Sequence, residues 1–169
     1  MPILLSAHHP MIIIRKFRKS DTISAALLIA KTYRKFNRFE FQNKSAFWRY
    51  LNYYNPRNCT RAELYNRFIA TPICYVAIKN SQFIGVIRGT THRIVNLYVD
   101  ERYHHQGVGR RLLEKFETDV LRHKSVDIKV RSSLYAVSFY QHLGYRKTTG
   151  PRTFRGLRIQ PMVKRLPNR

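Results

Sequence analysis

The sequence predicts one mixed α/β domain with a mostly antiparallel sheet. Segments with strand-like runs are interleaved with segments of helical spacing, in the order strand, three helices, three strands, helix, strand, helix and two strands. The chain has 169 residues, the size of one domain, and shows no internal repeat or linker. We therefore expect a single domain over 1–169, with residues 1–10 as a candidate N-terminal extension and either Met1 or Met11 as the natural start.

The first half of the chain is predicted to contain one strand and three helices rich in aromatic and basic residues. The periodicity predicts a strand over 11–18 and helices over 20–33, 44–54 and 60–68. Ser20 and Thr60 are the predicted N-caps, because their hydroxyls can accept a hydrogen bond from the first free amides of a helix. The second helix is expected to end before Asn55 and Pro56, since the residue before a proline avoids helical geometry.

The second half begins with a predicted hairpin whose turn is Asn80-Ser81. Gly144 is predicted to end the last helix, because glycine adopts the left-handed conformation found after many helices. The predicted elements are strands over 73–79, 83–89 and 92–99, a helix over 107–124, a strand over 126–130, a helix over 134–143, and strands over 145–149 and 157–164.

The chain carries an extreme positive charge. Thirty-two Lys and Arg residues against nine Asp and Glu give a formal net charge of +23, and the basic residues are spread along the chain. Such a field attracts phosphates, acidic proteins and nucleic acid, and it repels polyamines and aminoglycosides. The charge therefore suggests nucleic-acid binding through a basic surface, with a merely solvated basic surface as the alternative.

The composition argues against several other classes of protein. Hydrophobic residues make up 44% of the chain, too many for a disordered tail, and no apolar run approaches the 18 residues of a membrane span. We expect a soluble cytoplasmic protein with no membrane association. Cys59 and Cys74 have neither disulfide nor metal-ligand spacing, so no metal site is expected and Cys74 is interpreted as a buried, unreactive thiol.

Residues 95–113 have the pattern of an anion-binding turn: an apolar strand, a polar loop, Gly107-Val-Gly109 and the start of an amphipathic helix. The glycines permit close backbone approach, and the helix offers free amides to a pyrophosphate. A dinucleotide fingerprint would need a third glycine where Leu112 stands. A P-loop would need Lys and Ser or Thr where Arg110 and Arg111 stand.

The turn resembles the acyl-CoA signature of the GNAT superfamily of N-acyltransferases, Gln/Arg-x-x-Gly-x-Gly/Ala, here 104–109 with His104 at the first position. A second block, 133–145, is similar to the family's Asn-x-x-Ala-x-x-Phe/Leu-Tyr-x-x-x-Gly-Phe, with Ser133 where Asn is common. The resemblance extends over roughly 11–165. It implies a GNAT-like fold, with a central, mostly antiparallel twisted sheet of six to seven strands and about four to five flanking helices. It also implies that acetyl-CoA donates an acetyl group to a primary amine by direct attack.

The resemblance also implies roles for individual residues. Tyr140 stands at the family's tyrosine position and is the candidate general acid for the departing thiolate. The bulged strand of the family corresponds to 96–99, whose backbone would polarise the thioester carbonyl and pair with the pantetheine arm. The predicted cofactor-binding residues are Leu97, Tyr98, Val99, His104, His105, Gln106, Gly107, Val108, Gly109, Arg110, Ser133, Ser138 and Tyr140.

The general base is less defined, because many family members have a Glu on this strand and 92–99 contains no carboxylate. His92 is a candidate base, and Asn96 is a candidate for orienting a water. Glu40 or Glu63 could instead reach in from the helical region. An acceptor amine of low pKa would remove the need for a base, which mildly favours an α-amine.

The acceptor and the assembly stay open at this point. The acceptor amine could belong to a small molecule, a protein or an RNA-linked group such as an aminoacyl-tRNA or a ribosomal protein. A basic nucleic-acid-binding module of the same fold without catalysis is the alternative function. The chain could be a monomer or a homodimer. Aromatic residues of the second helix are predicted either to form an acceptor pocket or to pack in the core: Phe47, Trp48, Tyr50, Tyr53 and Tyr54.

Overall fold

A computed structural model of the chain describes residues 11–167. The candidate extension over 1–10 lies outside the described residues. Within residues 11–167 there are five α-helices, α1 (Thr22–Thr32), α2 (Lys44–Tyr53), α3 (Arg61–Ile69), α4 (Val108–Arg122) and α5 (Val137–His142). The same described part of the chain contains eight strands, β1 (Ile13–Lys16), β2 (Ile73–Lys79), β3 (Gln82–Thr90), β4 (Arg93–Val99), β5 (Asp127–Ser133), β6 (Arg146–Lys147), β7 (Arg152–Phe154) and β8 (Leu157–Arg165).

All eight strands belong to one sheet. Its order is β1-β2-β3-β4-β5-β8-β6, and β7 pairs with β8 on the same edge as β6. Every neighbouring pair is antiparallel except β4 and β5, which are parallel. The predicted fold class, a mixed α/β domain with a mostly antiparallel sheet, is confirmed. The additional strand is β7, whose three residues are too few to show strand periodicity in the sequence.

The sheet has a hydrophobic core on each face. One face packs against α4 and α5, with Leu112, Phe116 and Tyr140 among the buried residues. The other face packs against α1, α2 and α3, with Ile29 and Phe68 among the buried residues. We refer to these as the α4 face and the α1–α3 face. Helices therefore cover both sides of the sheet.

The helix caps follow local chemistry. Thr60 accepts from the Glu63 amide while the Glu63 carboxylate accepts from the Thr60 amide, which confirms the predicted cap of the third helix. The prediction of Ser20 as a cap was wrong, because Ser20 lies in a 3₁₀ turn and Asp21 stands at the N-cap of α1. The Asp21 carboxylate accepts from the Arg18 amide and pairs with the Arg15 guanidinium at 2.7 Å.

Two irregular segments extend α1 toward the rest of the molecule. Residues 33–37 form a single π-helical turn, and 38–40 form a 3₁₀ turn. Neither was predicted from the sequence, whose helical periodicity ends at Tyr33. A π-helical turn inserts an extra residue and changes the direction of the side chains that follow it. These turns place Phe36 and Glu40 beside the ends of β4 and β5.

Within residues 11–167, none of the helices combines the length and the apolar character that crossing a bilayer requires.

Candidate active site

The parallel strands β4 and β5 separate soon after they meet. They pair only through Arg93 with Lys129 and Ile94 with Val130. The register of β3 against β4 shifts at this point, because Arg88 pairs with Asn96 while Gly89 pairs with Ile94, so β4 carries one extra residue. Beyond it, the edge of 96–99 that faces β5 has no strand partner within the described chain. The predicted bulged strand therefore borders an open gap, which we call the β4–β5 gap.

Helix α4 begins beside the end of β4 and offers free amides. Gly107 occupies its N-cap with a φ of +77°, and His105 has a φ of +59°. The first amide bonded at this helix start is that of Arg111, which donates to the Gly107 carbonyl. The amides of 108–110 precede that bond and are available to an anion. The predicted glycine turn thus has the geometry of an anion-binding helix start.

Aromatic rings cross the open end of the gap. His104 Nε2 lies 2.9 Å from the Val99 carbonyl oxygen. The Phe36 ring lies 5.5 Å from the His104 ring and stacks at 4.7 Å on Tyr135, which follows β5. Phe36 therefore connects the ends of the two strands. Sequence reasoning missed it, because its position depends on the π-helical turn.

Tyr140 lies in the α4-face core beside the gap. Its side chain is buried, and burial raises the pKa of its phenol above the ordinary range. The ring packs against Phe139 and Tyr145, and the same core includes Val108 of the glycine turn. The Phe139 ring approaches so closely that a Cβ on Gly109 would lie 3.1 Å from it. The structure thus brings Tyr140, Gly109 and the apolar side of β4 together.

The other predicted cofactor-binding residues fall in three places. Leu97 and Val99 pack against the α4-face core, whereas Tyr98 points to the α1–α3 face. Gln106 accepts from Lys79 Nζ at 3.4 Å, and Arg110 lies in the first turn of α4. Residues 133 and 138 lie at the end of β5 and in the first turn of α5.

Asn96 is the centre of a buried polar group on the α1–α3 face. Its Oδ1 accepts from Arg88 Nε at 2.6 Å and from the Tyr54 hydroxyl at 3.2 Å. Arg88 also donates to the Tyr54 hydroxyl at 2.8 Å and to the Arg67 carbonyl. Asn96 Nδ2 donates to the Tyr98 hydroxyl at 3.4 Å. Asn96 is therefore fixed by protein groups.

Tyrosines extend this polar group toward α1. The Tyr33 hydroxyl donates to the Tyr50 hydroxyl at 2.8 Å, and the ring of Tyr33 lies 5.4 Å from that of Tyr98. Burial raises the pKa of Tyr54 to about 12 and raises the pKa of Tyr98 well above its ordinary value. Tyr50 and Tyr54 thus line this polar interior, while other aromatics of α2 lie elsewhere: Phe47 in the core, and Trp48 and Tyr53 about half exposed.

The candidate bases lie in different places. His92 precedes β4 at the end where the two strands are paired, and its Nδ1 lies 2.8 Å from Ser125 Oγ. Glu63 is exposed in its capping box. Glu40 does reach the gap, where its carboxylate accepts from the amides of Leu134 and Tyr135 at 3.2 and 2.7 Å. The structure brings Glu40, but not His92 or Glu63, to the end of β5.

A basic groove lies between α1 and α2, apart from the glycine turn. It has a volume of about 440 Å³, and its lining includes Lys31, Arg34, Arg57 and the half-exposed Trp48. Lys31 pairs with Asp100 at 3.4 Å, which connects the groove to the loop that precedes α4. The groove and the β4–β5 gap are therefore two different candidate sites. The groove is concave and basic, and the gap combines separated strands, free helix amides and a buried tyrosine.

The sequence and the fold were compared with known proteins. A family model described as "Acetyltransferase (GNAT) domain" matches residues 53–166. The fold is similar to a GCN5-related N-acetyltransferase from Rhodopseudomonas palustris, with a TM-score of 0.76 and 17% identity over 93% of this chain and 96% of that one. It is also similar to PaiA N-acetyltransferase from Thermoplasma acidophilum in complex with coenzyme A, with a TM-score of 0.67 and 19% identity over 92% and 99% of the two chains.

A third similar structure is N-acetylglutamate synthase from Neisseria gonorrhoeae, complexed with coenzyme A and N-acetyl-glutamate. Its TM-score is 0.68 at 17% identity, over 93% of this chain and 35% of that one. The search of curated protein sequences found no match. At these identities the structures establish a common fold, and the family model spans most of the chain, including the gap and the glycine turn. The chain belongs to the GNAT acetyltransferase family, whose co-substrate is acetyl-CoA.

Proposed function

We propose that this protein moves the acetyl group of acetyl-CoA to a primary amine by direct attack. The observation that carries the proposal is the β4–β5 gap, where an unpaired strand edge, the free amides of α4 and the buried Tyr140 border one opening. Acetyl-CoA supplies an activated acetyl thioester. The chain supplies the positioning, the hydrogen bonds and the proton.

The groups around the gap fit the parts of acetyl-CoA. The amides of 108–110 offer donors to a pyrophosphate, and no atom lies within 4 Å of a Cβ added to Gly107. The free edge of 96–99 offers amides and carbonyls that can pair with the amides of an extended pantetheine arm. Leu97 and Val99 give that side an apolar lining.

In the proposed reaction, the acceptor nitrogen attacks the thioester carbonyl carbon. A backbone amide of 96–99 stabilises the negative charge on the carbonyl oxygen. The C–N bond forms, the C–S bond breaks, and the sulfur leaves as a thiolate. Tyr140 gives its phenolic proton to that sulfur, and the proton lost by the nitrogen returns to the phenolate through solvent. A phenol is protonated at neutral pH, as this role requires.

The amine must be neutral when it attacks. The described chain places the Glu40 carboxylate at the end of β5, but that carboxylate is occupied by two backbone amides. The tyrosines around Asn96 are protonated donors at neutral pH, and burial raises the pKa values of Tyr54 and Tyr98 further. We therefore propose that the acceptor arrives as the neutral amine, which favours an amine of low pKa.

The direct test is Tyr140→Phe, with Tyr145→Phe as the matched control. Both tyrosines are buried in the same core, but Tyr145 donates to Glu117 at 3.1 Å. Loss of a general acid lowers kcat about 10²- to 10⁴-fold. We expect Tyr140→Phe to show that loss with acetyl-CoA binding intact, and Tyr145→Phe to keep kcat within a few-fold. Equal kcat for Tyr140→Phe and the unchanged protein would reject the role of Tyr140.

A second function, nucleic-acid binding without catalysis, is favoured by the basic groove between α1 and α2. A half-exposed Trp48 can stack on a base while Lys31, Arg34 and Arg57 contact phosphates. The same experiment separates the two functions. Absence of turnover in both the unchanged protein and Tyr140→Phe, with salt-sensitive binding of single-stranded RNA, would favour this second function.

A further inference from the structure

Four arginines lie together beside the β4–β5 gap, and we call them the arginine cluster: Arg93, Arg131, Arg152 and Arg155. The ring of Phe154 is the common contact of two of them, Arg131 and Arg155. The guanidinium carbon of Arg131 lies 3.9 Å from the centroid of this ring, and that of Arg155 lies 5.4 Å from it. Cation–π contacts at these distances hold two guanidiniums against one aromatic platform.

The strand register places the cluster at the start of the gap. Arg93 pairs with Lys129 and Ile94 pairs with Val130, and these are the last paired residues before the strands separate. Arg131 is the next residue of β5. Arg152 lies on β7, which is separated from β5 by the single strand β8. Arg152 pairs with Ile159 of β8, and Ile159 pairs on its other side with Ser133 of β5.

The arginine cluster and the glycine turn lie on opposite faces of the sheet. Val130 packs in the α4-face core, and successive residues of a strand point to opposite faces, so Arg131 points to the α1–α3 face. Ile159 and Leu157 pack in the α1–α3-face core, and they pair with Arg152 and Phe154. The cluster is therefore on the side away from the free amides of α4, which we assigned to the phosphates of acetyl-CoA.

The charges of the cluster are not balanced within residues 11–167. None of its members lies within 4.0 Å of a carboxylate there. Burial together with the positive charges of Arg93, Arg152 and Arg155 lowers the pKa of the Arg131 guanidinium. Like charges held together raise the free energy of the folded protein, and a bound anion would lower it.

On the basis of the proposed acetyl transfer, we propose that the arginine cluster binds an oxyanion of the acceptor molecule, so that the acceptor is an amine that also carries a phosphate or carboxylate group. Guanidinium groups bind both oxyanions in a bidentate manner. A bound oxyanion at Arg131 holds the rest of the acceptor at the start of the gap, on the face opposite acetyl-CoA. The cluster also repels polycationic amines.

The proposal is tested with two pairs of amines that differ by one oxyanion. Phosphoethanolamine is compared with ethanolamine, and β-alanine with propylamine, in the unchanged protein, in Arg131→Gln and in Arg158→Gln. Arg158 is the matched control, because it lies on β8 between Leu157 and Ile159 and points to the other face while carrying the same charge.

We expect at least one anionic amine to have a KM about 10- to 100-fold below that of its neutral partner, as for a hydrogen-bonded charge pair. Arg131→Gln should abolish this difference and leave the KM of acetyl-CoA unchanged, and Arg158→Gln should preserve it. The pair with the larger difference identifies phosphate or carboxylate. If Arg131→Gln does not fold, the exposed Arg152→Gln takes its place.

Calorimetric binding of phosphoethanolamine and β-alanine separates this proposal from the proposed function. Binding that is lost in Arg131→Gln, with no amine acetylated even at a pH near the pKa of the amine, would preserve the oxyanion site and reject acetyl transfer. Acetylation of neutral amines or spermidine at least as efficiently as anionic ones, with no effect of Arg131→Gln, would overturn the oxyanion site and leave acetyl transfer standing.

Discussion

Phenols, one amide and one guanidinium form the buried polar group around Asn96 on the α1–α3 face. Asn96 accepts from Arg88 and Tyr54, and the tyrosines around it are protonated at neutral pH, with burial raising the pKa values of Tyr54 and Tyr98 further. Such groups can donate hydrogen bonds and orient an acceptor, but they cannot remove a proton at neutral pH. In the proposed mechanism, the pKa of the acceptor amine itself therefore governs the reaction.

This account predicts a particular pH dependence. The value of kcat/KM should rise about tenfold per pH unit and level off at the pKa of the acceptor amine, because only the neutral amine attacks. Two acceptors with amine pKa values that differ by one or more units should level off at different pH values. The measurement is a pH profile of kcat/KM for both amines. A common plateau near pH 6.5 would indicate a histidine base instead.

At the scale of residues, the candidate site groups could be predicted from the sequence where they belong to short local motifs. Tyr140 and the glycine turn were predicted because each lies in a short pattern, and Tyr140 and Val108 of that turn belong to the same α4-face core. The contacts of Arg88 and Glu40 were harder to predict from the sequence. Glu40 accepts from amides 94 and 95 residues away, and Arg88 donates to a tyrosine 34 residues away, so no local pattern reports either contact.

Among the secondary-structure elements, the sequence-based prediction again agrees with the structure where neighbouring residues determine the conformation. The cap of α3 joins Thr60 and Glu63, only three residues apart, and it was predicted. The left-handed Gly144 after α5 was predicted as well. The π-helical turn over 33–37 was not, because its rings pack against residues distant in sequence, such as Tyr98 and His104. Contacts with residues distant in sequence therefore determine the geometry of this turn.

The bulge between β3 and β4 depends on Gly89. An added Cβ would overlap the Arg93 carbonyl oxygen and lie 2.8 Å from Phe116 Cζ. Because the first of these atoms belongs to the backbone, the strands would have to separate. We expect Gly89→Ala to lower the free energy of unfolding by about 3 kcal/mol or more, measured by urea denaturation.

Gly150→Ala is the control for this bulge, since an added Cβ there meets no atom within 4 Å. Its effect should stay within about 0.5 kcal/mol. Equal stabilities of the Gly89→Ala and Gly150→Ala variants would contradict the close packing assigned to the bulge.

For the molecule as a whole, a few acidic residues hold distant parts of a strongly basic chain together. The chain has nine Asp and Glu residues against thirty-two Lys and Arg. Asp100 accepts from Arg102 and pairs with Lys31 of α1, while Glu101 pairs with Lys31 and Lys35. These contacts fix the loop before α4 against α1, and so they connect the two faces of the fold.

Asp100 should make the stability of the protein sensitive to acid. Its hydrogen bonds from Arg102, the backbone amide and the charge of Lys31 lower its pKa to about 2, below the value near 4 expected when unfolded. A lowered pKa stabilises the fold above about pH 4, and that contribution is lost as the pH falls toward 2. Asp100→Asn should remove about 1–2 kcal/mol at pH 7, since the partner side chains are partly exposed.

The measurement is the free energy of unfolding from pH 7 to pH 2. The difference between the unchanged protein and Asp100→Asn should shrink between pH 4 and pH 2. A difference that stays constant over that range would mean that the Asp100 carboxylate is not held ionised by its partners.

The most direct test of the central claim is calorimetric binding of acetyl-CoA at near-physiological salt, with ATP as a polyphosphate control for the charge of +23. The account predicts one-to-one binding of acetyl-CoA that is far tighter than that of ATP and changes little with salt, because the gap recognises the pantetheine arm as well as phosphate. Equal binding of both ligands that weakens together as salt rises would contradict it. The glycine turn would then be only a basic anion site, and nucleic-acid binding would become the better explanation of this surface.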